Sequence, residues 1–187
     1  MIPAQRCKRA WCRPDIARSS DVLKLMGQKN RSMGKPLQGR HTAKIDGDFV
    51  VFLIGASISP RTLIPSVRDL GGPRGMKRMF DYLVAHPEKG LLGYEMGRPI
   101  IQYWRSFDHL EAFAKDDQDP HLAAWRTYWK RVGNRNRTGI WHETYLVRSG
   151  EYEAVYANIR PIGLAKASSM VPLKGSSSAR SRLRNVS

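Results

Sequence analysis

QYWRSFDHLEAFAKDDQDPHLAAWRTYWKRVGNRNRTGIWHETY, residues 102–145, holds four of the chain's five tryptophans and three of its five histidines. Its parts read as strand, helix, helix, strand. The strand of residues 100–104 is followed by Ser106, whose hydroxyl is placed to cap a helix carrying Asp108 in its first turn. Phe107, Leu110 and Phe113 then recur at helical spacing. Asp119-Pro120 offers a second cap with proline at the first helical position, and Gly133 a stop, which predicts a helix over residues 120–132. At about 100° per residue, Leu122, Trp125, Trp129 and Val132 share a stripe predicted to face the core, with His121 and Tyr128 on its edge. Residues 139–147, GIWHETYLV, are aromatic and β-branched and predict a strand. Alternation puts Ile140, His142, Thr144 and Leu146 on one face and Trp141, Glu143, Tyr145 and Val147 on the other.

Working outward, residues 38–48 read as a polar lead-in to FVVFLIGA, residues 49–56, a continuous apolar run of strand length covered on both faces. Residues 57–70 predict a loop and a short helix broken by Gly71-Gly72. Pro73 then opens a helix whose Met76, Met79, Phe80 and Leu83 make a buried stripe ending before His86-Pro87. Residues 91–96 and 99–104 form a hairpin about Gly97-Arg98. Residues 152–156 alternate as a short further strand, and from Pro161 onward no packed element is expected. The order is β-α-β-β-α-β, the ferredoxin-like α+β arrangement. Helices on one face leave the other bare, and pairing two such sheets buries it, so a homodimer is expected.

Charge divides the chain into three parts. Of the net +16, residues 1–32 carry +6 and residues 160–187 another +6, which leaves +4 for residues 33–159. A basic disordered extension over residues 1–36, a folded domain over 37–160 and a basic, serine- and arginine-rich disordered tail over 161–187 follow from that distribution. Contact with nucleic acid is then non-specific and confined to the tails. Met33-Gly34, just before the first ordered-looking segment, is expected to be the translation start. Cys7 and Cys12 lack the further ligands of a structural zinc site, and no metal is expected. The absence of a cysteine framework in residues 33–159 suits a reducing, cytoplasmic compartment. The longest apolar run, residues 49–56, is too short to span a membrane. Among the sequence patterns there is no phosphate-cradling glycine loop, no G-x-S-x-G elbow and no H-E-x-x-H.

VVFLIGASI, AHPEKGLLGYEM, QYWRSFDHLEAFA, DPHLAAWRTYWKRVG, GIWHETYLV and GEYEAVYANI resemble, in that order, a bacterial and fungal monooxygenase-like family catalogued as a domain of unknown function. It is related to the antibiotic-biosynthesis monooxygenases and includes fungal members in fumagillin-type terpenoid biosynthesis. The resemblance covers about residues 37–164, and Gly71-Gly72 stand where the family usually runs a continuous helix. It implies a dimeric α+β barrel and cofactor-independent oxygenation of a small hydrophobic or aromatic substrate, the substrate's own carbanion reducing dioxygen. Such chemistry needs an apolar bed, a base and a donor for the developing anion.

Candidates for those roles are His121, His142 and Arg105 as catalytic groups, with Tyr103, Trp104, Trp125, Glu143 and Tyr145 binding substrate. Each has a plainer reading. His121 follows Asp119 closely enough to serve as a local hydrogen-bond partner, Trp125 sits at core spacing, Arg105 fits pairing with a nearby acid, and Glu95 on the hairpin fits the surface. His142 and Glu143 are adjacent on a strand, point oppositely and form no dyad with each other. Two further readings share the fold. One is a haem enzyme like the aldoxime dehydratases, with His109, His121 or His142 as axial ligand. The other is a dimer that binds a hydrophobic ligand without catalysis.

Overall fold

The computed structural model describes residues 35–72, 74–135, 137–175 and 178–183 of the 187-residue chain. β2 (Phe49–Ile58) lies between two partners in one sheet, beside β4 (Ile100–Trp104) and β5 (Thr138–Val147), and β3 (Leu91–Glu95) pairs with the far edge of β4. The order is β3-β4-β2-β5, with every neighbouring pair antiparallel. The β2–β5 ladder runs unbroken from Phe49 opposite Val147 to Ile58 opposite Thr138. This is the ferredoxin-like α+β arrangement expected from the sequence.

Register assigns the faces. Val50 lies opposite both Trp104 and Leu146, Phe52 opposite Gln102 and Thr144, and Ile54 opposite Ile100 and His142. Of these, Val50, Trp104, Phe52 and Ile100 meet the helices. Val50 and the fully buried Trp104 pack with Phe80 and Leu83 of α2 (Gly75–Ala85) and with Leu110 and Phe113 of α3 (Phe107–Lys115). Phe80 stacks on Tyr94 of β3, ring centroids 3.9 Å apart. The short α1 (Leu63–Asp69) precedes Gly71-Gly72, as expected, while the start of the next helix expected at Pro73 lies outside the described residues. Ser106 accepts a hydrogen bond from the His109 amide at 3.3 Å and caps α3.

α4 (Pro120–Val132) has the expected bounds but a rotated buried face. Tyr128 and Val132 are buried, whereas Trp125 and Trp129 are 37% and 52% exposed. Tyr128 sets this rotation by donating its hydroxyl to the Thr138 carbonyl at 2.9 Å while its ring lies beneath Trp125. Asp119 precedes α4 without capping it through its side chain. Its carboxylate is 1% exposed and instead accepts hydrogen bonds from Tyr82 and Lys89.

The opposite face of the sheet is only partly bare, because the chain covers some of it. β1 (Leu37–Lys44) pairs antiparallel with β6 (Tyr156–Ile159) on one side and with β7 (Ser169–Pro172) on the other. With α5 (Leu164–Ala167) these strands bury Ala43, Phe49, Leu164 and Ala165 together, alongside Val51, Tyr103 and Tyr156. Two expectations are corrected here. Residues 38–48 are more than a polar lead-in, since their first part is the central strand of a second sheet. Packed structure also continues past Pro161 as α5, β7 and the short α6 (Ala179–Arg182). Both segments are held by partners more than a hundred residues away, such as Lys44 opposite Ser169, and so carry little local pattern. The strand expected at residues 152–156 begins at Tyr156, and Tyr152 instead packs edge-on against Phe49 and accepts from the Ile45 amide.

Candidate functional site

Two rows of side chains run across the sheet on its helix face. One is Tyr94, Gln102, Phe52 and Thr144; the next is Ile100, Ile54 and His142. β5 is an edge strand, and its helix face is open: His142 and Leu146 are exposed, while Phe52, Ile54, Ile100 and Thr144 are half-buried. The result is an apolar shelf beside an imidazole. The His142 ring lies against Phe52, centroids 5.4 Å apart and 30° from parallel.

Gln102 supplies the second polar group. It is 6% exposed, and its side-chain oxygen accepts from Trp104 Nε1 at 2.9 Å. That bond turns the amide nitrogen into the unengaged end, since it has no hydrogen-bond partner among the described residues. The Gln102 amide N–H and the His142 imidazole share this face, one row and two strands apart with Phe52 and Ile54 between them. A donor and a base over an apolar floor suit binding of an anion formed by loss of a proton. Sequence reasoning passed over Gln102. Its signal was a lone amide inside the apolar strand IIQYW, where a buried polar group needs a partner or a purpose.

The other candidates fall in separate places. Trp104 is wholly buried, packs against Phe113 at 5.7 Å and orients Gln102 from within the core. His121 takes part in a 3.1 Å hydrogen bond between Nδ1 and the Ala114 carbonyl and lies against Phe113, tying α4 to α3. His109 shares a 2.7 Å hydrogen bond with Ser106 Oγ, and its ring fills the space over Gly90, where a Cβ would come within 2.5 Å of it. Arg105 is exposed past the end of β4 and lines an open depression of about 400 Å³ with Lys44, Asp46, Asp48, Ser168 and Ser169. Trp125 sits on the outer side of α4.

Tyr103, Glu143 and Tyr145 belong to the sheet's other face, where Val51 separates Tyr103 from Tyr145. Tyr103 is under the second sheet, and burial raises its hydroxyl above the usual tyrosine range. Tyr145 donates to Glu143 at 2.6 Å, and that bond raises its hydroxyl likewise. Glu95 accepts from the Gly163 amide at 3.0 Å and pairs with Lys166 at 3.4 Å. The structure therefore brings His142 to the shelf and leaves His121 and Arg105 elsewhere. Among the described residues no group of three His, Cys, Asp or Glu side chains is arranged to hold a metal ion. No helix among them is long and apolar enough to cross a membrane.

An antiparallel β3-β4-β2-β5 sheet with helices on one face and an imidazole and amide over an apolar shelf defines a ferredoxin-like α+β protein. Residues 49–164 match the family model described as Monooxygenase af470-like, and the chain belongs to that family. It is 28% identical over 161 residues to monooxygenase af470 of Aspergillus fumigatus, a match covering 73% of this chain and 57% of that relative. The chain thus spans little more than half the relative's length. Among solved structures, a crystal structure of aldoxime dehydratase in complex with butyraldoxime is similar, with a TM-score of 0.49 and 18% identity. That likeness covers 68% of this chain and 40% of the other.

Proposed function

We propose that the protein is a cofactor-independent monooxygenase acting on a small hydrophobic substrate laid on the Phe52–Ile54 shelf. Membership of a monooxygenase-like family supports the reaction class. The observation that carries the reading is an accessible imidazole and an unengaged amide donor on one face of the sheet, over an apolar floor. In this reading His142 removes a proton from a CH2 group activated by a neighbouring carbonyl, and Gln102 Nε2 donates to the enolate oxygen. The enolate's electrons reduce dioxygen. The CH2 becomes a carbonyl bearing one oxygen atom, and the second leaves as water with the two hydrogens. The shelf excludes water from one side of the substrate and holds its ring against Phe52. A cytoplasmic homodimer, joined through the part of the sheet's other face that carries Trp141 and Tyr145, belongs to the same reading.

Dioxygen consumption tests it, with an anthrone or 1,3-diketone as probe, chelator present and no cofactor added. The wild type turns the probe over. His142→Ala lowers kcat about a hundredfold or more, and Gln102→Leu lowers it about a hundredfold with the shelf intact. A Soret band in the active preparation would replace this reading with the haem one. Probe binding without dioxygen consumption would replace it with a ligand carrier.

A further inference from the structure

α4 carries exposed tryptophans and cations side by side. At about 100° per residue, His121, Tyr128 and Val132 mark its buried side, and Arg126 and Lys130 lie roughly opposite. Trp125 and Trp129 fall between the two, one turn apart, on the border of the packed face and the charged one. The helix contains no acidic residue. Arg131 reaches to α1 and donates to the Arg68 carbonyl at 2.6 Å, which joins a second patch to the first. There Ile64 is 72% exposed between Arg61 and Arg68. The acid of α1, Asp69, is buried against Arg137 and contributes no free negative charge. Beyond Trp129, an open recess of about 440 Å³ is lined by Arg135, Arg137, Thr138 and Gly139.

We infer that this α1–α4 face docks on an anionic lipid bilayer surface. Indoles prefer the headgroup level, where the ring sits among acyl chains and its N–H stays wet. Arginine and lysine beside them meet phosphate and carboxylate headgroups, and the two contributions add. The charge is one-signed on α4, which matches an anionic surface and opposes a second copy of the same face. The recess takes a headgroup phosphate next to Trp129. This inference is independent of the catalytic reading, because the shelf residues Phe52 and His142 lie on the sheet.

The test is co-sedimentation of the full chain with phosphatidylcholine vesicles, with and without phosphatidylserine. Tryptophan quenching by brominated acyl chains is measured in parallel. The wild type binds only the phosphatidylserine vesicles and is quenched on binding. Trp125→Ser with Trp129→Ser, and separately Arg126→Glu with Lys130→Glu, each weaken binding about tenfold or more while circular dichroism stays native. Failure to sediment with either vesicle would overturn the inference. So would undiminished binding in both double variants, which would assign it to the basic tails. Loss of an oligomer in the variants without vesicle binding would make the face a contact between copies.

Discussion

The Tyr82 hydroxyl donates to Asp119 Oδ1 at 2.5 Å, joining α2 to the start of α4 across a carboxylate that water does not reach. The other oxygen of Asp119 accepts from Lys89 at 2.8 Å, and Lys89 also reaches Asp116 at 3.2 Å. Hydrogen bonding to Asp119 raises both the Tyr82 hydroxyl and the Lys89 ammonium above their ordinary values. Asp119→Ala leaves two donors facing an empty site and lowers stability by about 2 kcal/mol. Tyr82→Phe costs less, because Lys89 still satisfies the carboxylate. Urea unfolding of the two variants checks the order; midpoints equal to the wild type's in both would mean the network does not hold the helices.

A second buried carboxylate sets the response to acid. The Arg137 guanidinium binds Asp69 through two hydrogen bonds of 2.6 and 2.7 Å and holds its carboxyl below the usual range, with Thr138 adding a third bond. A depressed folded value means that the stabilisation is fully present above the ordinary carboxylate pKa and is lost as pH falls through the depressed one. Unfolding free energy should therefore drop through the acidic range below about pH 4. Asp69→Asn should flatten that limb and lower stability at neutral pH. An unchanged acid limb in the variant would remove Asp69 from the account.

The ferredoxin-like sheet was legible because its strands and helices carry their own periods. Residues 139–147 alternate faces as expected from GIWHETYLV, and Pro120 and Gly133 bounded α4 correctly. The second sheet was not legible. β1 buries only His41 and Ala43, and β7 is four residues long, so neither has a pattern apart from its partner. His142 stood out in the sequence as an imidazole on a strand that mixes apolar and polar residues on both faces. Gln102 did not, since an isolated amide has no motif and its role depends on Trp104 taking its oxygen. The stripe on α4 was misplaced because indole and phenol are both apolar at helical spacing, and the Tyr128–Thr138 hydrogen bond decides which turns inward.

The part of the chain past Pro161 tests how far the second sheet stabilises the first. Leu164 is buried beside Phe49, and the Tyr156 hydroxyl accepts from the Ala165 amide at 3.2 Å. Leu164→Ala removes a core side chain at the junction of the two sheets and should cost about 2–3 kcal/mol. Amide exchange should accelerate in β1 as well as in α5, because both lie in that cluster. A substitution without effect on denaturant midpoint would mean that β2 to β5 fold without the cover.

Trp141 lies over Gly55 on the neighbouring strand, so close that a Cβ built on Gly55 would sit 2.5 Å from indole atoms. The glycine therefore leaves space for a ring on the uncovered part of the sheet, where Trp141 stays partly exposed. Gly55→Ala forces the indole off the sheet and should destabilise the fold by about 1–2 kcal/mol. With Trp141→Ala already in place, the same alanine meets no ring, and its cost should largely vanish. The double variant should then be more stable than the sum of the single effects predicts, by about 1 kcal/mol. Strict additivity in a double-mutant cycle would show that the two residues do not touch in solution. It would also free the Trp141 indole to pack elsewhere on the sheet face proposed to join two copies.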